Sequence, residues 1–205
     1  YLGPAGGTQR ARAAEIMEQA KRLLSAVEDL DTAARIETDR LELAPGRVDA
    51  GALIAQLHQA YARVAQQRGA EIRLDAAADL PPAEVEPAAA ERMVARLLAA
   101  TVGLAEPGET IMATLDRGVF EGAPVLRLAL DRPRAVAGLD ERALLDPGYS
   151  PEGDWPAAPV LGLGFALRLV RNLAEASGGG LEIGERAFLL HLPLTEQRRE
   201  AGGAA

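Results

Sequence analysis

The chain has 205 residues, 48% hydrophobic and 25% charged, so it is long enough for one sizeable globular domain and is not of disordered composition. A formal net charge of −8 and an aromatic content of 3% count against a broad nucleic-acid surface, a base-stacking platform or an anionic membrane face. The absence of cysteine excludes disulfides, thiol catalysis and thiolate metal sites and fits a cytoplasmic setting, and no apolar run approaches the roughly 20 residues of a membrane span. Because the first residue is Tyr1, the expectation is a piece of something longer.

In chain order, a turn-forming start (1–9) precedes a long helical pattern over 10–38. Ile16, Ala20, Leu23, Val27, Leu30 and Ala34 are spaced 4, 3, 4, 3, 4, which is the seam of a coiled coil or helical bundle, and Met17, Leu24 and Ile36 are expected to widen it. Two arrangements fit: a homodimer through this helix, or a helix packed inside its own domain. The segment 41–49 reads as an extended linker with a Pro-Gly turn. Asp49 then reads as the N-cap of a second helix reaching Arg68 and ended by Gly69.

Residues 71–75 alternate as a strand, Pro81-Pro82 breaks the chain, and a third helix spans 87–104. Strands at 110–118 and 124–131 form a hairpin, whereas 132–161 has no periodicity and reads as a lid or a disordered stretch. A last helix carrying Phe165, Leu169, Leu173 and Ala176 ends at Gly178-Gly179-Gly180 and leads to strands at 181–184 and 187–194. This order predicts an α+β fold, a two-layer α/β sandwich preceded by a long helix. The expected division is 1–45, 46–195 and a fraying tail at 196–205.

Four stretches carry a family resemblance: "AKRLLSAVEDLDTAARIETDRLELAPGRVD" (20–49), "ERMVARLLAATVGLAEPGETI" (91–111), "LRLALDRPRAVAGLDERALLDPGY" (126–149) and "LGLGFALRLVRNLAEASGG" (161–179). In that order they resemble, in the sensor histidine kinases of two-component signalling, the second dimerisation helix, the asparagine box, the first glycine box with the phenylalanine-box region, and the second glycine box. The resemblance implies a catalytic-type domain that grips ATP and magnesium, a homodimer through helix 10–38, and a response-regulator or phosphotransfer protein as partner. It also implies a phosphoacceptor histidine on a helix that precedes this stretch. Neither His58 nor His191 stands in that setting, and both read as structural.

Carried over residue by residue, the asparagine and basic positions of the first box hold Ala100 and Gly103, so no side-chain oxygen is offered to magnesium there. In the first glycine box Asp131 stands at the adenine-binding aspartate, but Pro133 and Ala135 replace the glycines. Gly162 and Gly164 match the second glycine box, with Val160 where a further glycine would stand. Arg132, Arg134, Arg168 and Arg171 are candidates for positive charge beside a bound nucleotide. The glycine pair has two readings: backbone N–H groups cradling the phosphates of ATP or ADP, or a sharp turn from the lid into a packed helix. The resemblance therefore implies a regulatory pseudokinase, with an active ATP-dependent histidine kinase or a phosphotransfer relay protein as alternatives.

Acidic clusters at Glu28-Asp29-Asp31, Asp140-Glu141 and Glu152-Asp154 lack metal-ligand spacing and read as solvated faces or caps, Asp140 as an N-cap. Ser25, Ser150 and Ser177 lack a nucleophile pattern, and Trp155 reads as a lid anchor or a partner contact.

Overall fold

In a computed structural model the described residues are 7–149, 151 and 161–194, so Ser150, the Glu152-Asp154 pair, Trp155, Val160 and the 196–205 tail lie outside them. Helix α1 (Gly7–Glu37) spans 31 residues, or about 46 Å at 1.5 Å per residue. It is followed by β1 (Gly46–Val48), α2 (Ala50–Gln67), β2 (Glu71–Ala76), β3 (Ala83–Val85), α3 (Pro87–Leu104), β4 (Thr110–Phe120) and β5 (Ala123–Asp131). A 3-10 turn (Arg134–Val136), α4 (Glu141–Leu144), α5 (Leu163–Ala176), β6 (Gly180–Ile183) and β7 (Ala187–Pro193) complete the order.

Helix ends follow local chemistry. Asp49 Oδ1 accepts from Ala52 N–H at 2.9 Å, closing the first turn of α2, and Gly69 leaves it at φ +73. Pro87 opens α3, where a missing N–H costs nothing. At the end of α5, Gly178 takes φ +79 and Gly179 N–H bonds back to Ala174 O at 2.8 Å.

The main sheet runs β2-β4-β5-β7-β6, with β2 parallel to β4 and the other neighbours antiparallel. Alternation sends Ile111, Ala113 and Leu115 of β4, Leu126, Leu128 and Leu130 of β5, and Phe188, Leu190 and Leu192 of β7 into one buried layer. Ile54 of α2, Met93, Leu97 and Leu98 of α3, and Leu167, Val170 and Leu173 of α5 complete that core. This is the expected two-layer sandwich. Two short strands differ from the sequence reading. The linker holds β1, and the residues after the double proline form β3, its antiparallel partner.

Three further features correct the sequence reading. Ile16, Leu23, Val27 and Leu30 of α1 are exposed, but Ile36 packs against the α/β unit. Two positions beyond Ala34 is about 200° round a helix of 3.6 residues per turn, so Ile36 cannot share the seam. Asp29 belongs to no solvated face; it is 7% exposed and paired with Arg96. Nor is the stretch after β5 shapeless, since the 3-10 turn buries Val136 and Asp140 Oδ1 caps α4 through Ala143 N–H at 2.7 Å. A four-residue helix is too short to print a period in a sequence.

Candidate functional site

The site that sequence points to lies where the end of α3, the end of β5, the 132–149 loop and the start of α5 meet. Gly162 stands just outside α5 at φ +86, a conformation that disfavours any side chain. Residues 146–149 form a tight turn, with Tyr149 N–H donating to Asp146 O at 2.8 Å and Gly148 N–H to Asp146 Oδ1 at 2.9 Å. This turn sits directly on the start of α5. Gly164 N–H, one of the donors a helix start leaves free, is taken by Tyr149 O at 3.1 Å. A Cβ on Gly164 would stand 1.7 Å from Asp146 O and 2.6 Å from its carbonyl carbon. The loop backbone thus fills the space at the Gly164 Cα and takes its N–H.

Arg132, a candidate for positive charge beside a nucleotide, is placed here on loop and sheet carbonyls. Its side chain is buried, with Nη1 donating to Gly184 O at 2.9 Å and Nη2 to Val136 O at 2.5 Å and Leu139 O at 2.8 Å. The guanidinium lies 5.9 Å over the Phe188 ring, and burial lowers its pKa from the ordinary arginine value. It is spent on pinning the loop to the sheet. Arg134 is exposed and is held through its backbone.

That backbone contact reveals a residue the sequence reading passed over. Glu109 is 5% exposed and accepts from two chain segments: Glu106 N–H to Oε2 and Arg134 N–H to Oε1, each at 2.8 Å. It therefore ties the turn after α3 to the loop after β5. Nearby, Asp131 Oδ2 accepts from Met112 N–H at 3.1 Å. Ala100 is 1% exposed, Gly103 is buried in the last turn of α3, Pro133 is buried and Ala135 exposed. A methyl group and a glycine offer magnesium no side-chain oxygen, so these positions do not fit the ion.

Arg168 and Arg171 lie one and two turns into α5. With Arg142, Leu145, Asp146, Pro147 and Asn172 they line a groove of about 510 Å³ between α4 and α5. Arg171 Nη2 is paired with Glu141 Oε1 at 2.6 Å. Among the described residues no group of three or more His, Asp or Glu side chains converges as a metal site.

Both histidines have structural partners. His58 Nε2 donates to Ile72 O at 3.0 Å, joining α2 to β2. His191, 2% exposed, donates from Nε2 to Glu182 Oε2 at 2.6 Å and stacks on Phe120 with ring centroids 4.5 Å apart.

No protein-family model matches the sequence. Over 165 residues, 80% of the chain, it is 26% identical to the virulence sensor protein BvgS of Bordetella bronchiseptica. BvgS of Bordetella pertussis is 25% identical over the same length. The chain is thus similar in sequence to a sensor protein and in fold to a histidine kinase. It spans 13% of the length of these BvgS proteins. Solved sensor-kinase structures share its fold. Full-length ShkA in complex with AMPPNP superposes with a TM-score of 0.66 at 21% identity, covering 94% of this chain and 40% of ShkA. The Acinetobacter baumannii histidine kinase AdeS gives 0.65 at 17% identity, over 95% of this chain and 88% of AdeS. Within this shared architecture, the 146–149 turn, Arg132 and Glu109 bring the loop onto the start of α5.

Proposed function

We propose that the chain is part of a two-component signalling protein in which the α/β unit is a regulatory pseudokinase. The observation that carries this reading is the turn at 146–149 seated on Gly164, its Tyr149 carbonyl holding the N–H at the mouth of α5. Ala100, Gly103, Pro133 and Ala135 support it, because they remove the cation ligand, a basic side chain and two points of close backbone approach. Calorimetry or thermal shift with ATP and ADP, with and without magnesium, tests it. A site filled at 1 mM ligand with a Kd near 10 μM stabilises a fold by about 2.7 kcal/mol. The expected result is no magnesium-dependent shift, and one of that size would overturn the reading. One observation favours the alternative of an active kinase: Asp131, Gly162 and Gly164 all stand at family positions, and ShkA, of the same fold, was solved with AMPPNP.

The exposed seam of α1 is assigned to a second copy of the chain. Leu23, Val27 and Leu30 are 60%, 61% and 49% exposed on one stripe with heptad spacing, which one helix cannot bury alone. Leu23→Glu with Leu30→Glu is expected to halve the solution mass measured by light scattering, with the helical circular dichroism of the α/β unit kept. An unchanged mass would remove the seam from the interface. A response-regulator or phosphotransfer partner fits the same reading.

A further inference from the structure

Helix α1 has a second face, opposite the seam. Ser25, Ala26, Asp29, Thr32, Ala33 and Ile36 recur at helical spacing and are the side that meets the α/β unit. Ile36 is the one large aliphatic residue among them, so little apolar area holds this contact. Beside the close packing of α1 on α5, charged and polar contacts tie it to α3. Arg96 Nη2 donates to Asp29 Oδ1 at 3.0 Å and also reaches the Ser25 hydroxyl. Its Nε lies 2.8 Å from Asp29 Oδ2, an ion pair by distance but out of line for a hydrogen bond. One turn earlier, Arg92 Nη1 donates to Glu28 O at 3.1 Å and to the Thr32 hydroxyl.

These contacts join residues 60 to 71 positions apart, across the whole linker. Burial raises the Asp29 carboxyl above its ordinary pKa, and the Arg96 guanidinium is the main group acting against that rise. Without Arg96 the buried carboxylate would lose its ion-pair partner and keep only the weaker attraction of Arg92, a costly arrangement that favours separating the two surfaces. Arg96 also lies one helical turn before Ala100, on the helix that carries the site.

We propose that Arg92 and Arg96 are a latch that fixes the α/β unit to the small polar face of α1, so that helix and domain move as one body. A rotation of the seam within a helical bundle then carries the whole sheet with it, whether or not nucleotide binds. The inference is independent of the pseudokinase reading.

The absence of native cysteine permits clean paired labelling. Spin labels at Met17→Cys on α1 and Val119→Cys at the tip of the β4–β5 hairpin are both on exposed positions. Labelled full-length chain is diluted with unlabelled chain, so that only distances within one chain are read. The expected distance distribution is narrow, broad in Arg96→Glu, and narrow again in the double reversal Asp29→Arg with Arg96→Glu. A broad distribution in the parent, or an unchanged narrow one in Arg96→Glu, would overturn the latch. Should Arg96→Glu fail to fold, the near-isosteric Asp29→Asn is read in its place. Broadening supports the proposal, and a distribution as narrow as the parent's sinks it.

Discussion

Gly164→Ala is expected to lower the unfolding free energy by about 3 kcal/mol, the upper end for overpacking a closed contact. A methyl at that Cα would meet the Asp146 carbonyl at 1.7 Å, and the atom in the way is backbone, held in place by its own bond to Tyr149 N–H. Relief therefore requires the 146–149 turn to lift off α5, breaking the Gly164–Tyr149 bond as it goes. Urea or thermal unfolding measures the effect; for a chain of this size a loss of about 3 kcal/mol lowers Tm by roughly 6–12 °C. The experiment separates the two readings of the glycine pair. A glycine kept only to admit phosphate could take a methyl in the ligand-free protein at a cost of a few tenths of a kcal/mol, and that result would mean the turn stands clear of the helix.

Arg132→Ala is expected to cost about 3 kcal/mol as well, by a different route. It strips a charged donor from the carbonyls of Gly184, Val136 and Leu139, and a lost hydrogen bond to a charged group costs roughly 1.5–3 kcal/mol before relaxation. Arg132→Lys is expected to recover less than half of the loss. A single ammonium cannot span three carbonyls on two sides of the loop as the planar fork does. Denaturation midpoints of the two variants, measured without nucleotide, decide the matter. If Arg132 were a phosphate contact, both would unfold like the parent protein and only ligand binding would change.

Most of the framework was legible because it rests on local rules. Alternation at 110–118 and 124–131, the Asp49 and Asp140 caps, and the glycine stop after α5 each depend on a few neighbouring residues. The seam is legible too, but the hydrophobicity of Ile36 draws it into that stripe against its helical angle, and the opposite face of α1 carries no sequence signal. Small and polar residues such as Ser25, Ala26 and Thr32 look like a solvent face until Arg92 and Arg96 are brought to them from 60 residues away. Glu109 illustrates the same limit. In the sequence it is one acid in a Pro-Gly turn, and half its work, holding Arg134 N–H, is set by a tertiary return of the chain. For Arg132 the sequence shows only a charge beside a glycine motif, whereas its three carbonyl partners depend on how the loop folds.

The main sheet has a consequence for what the chain can associate with. Its outer strands, β2 and β6, could in principle recruit further strands from other molecules. On β2, however, Glu71, Arg73 and Asp75 all point into solvent, with Arg73 bonded to Glu71 at 2.8 and 2.9 Å. On the far side, β6 is four residues long and ends at Ile183, short of a full template. Open-ended stacking of sheets into fibres is thereby discouraged at both borders. A helix that exposes a long apolar stripe can then serve as a sticky surface without the sheet becoming one.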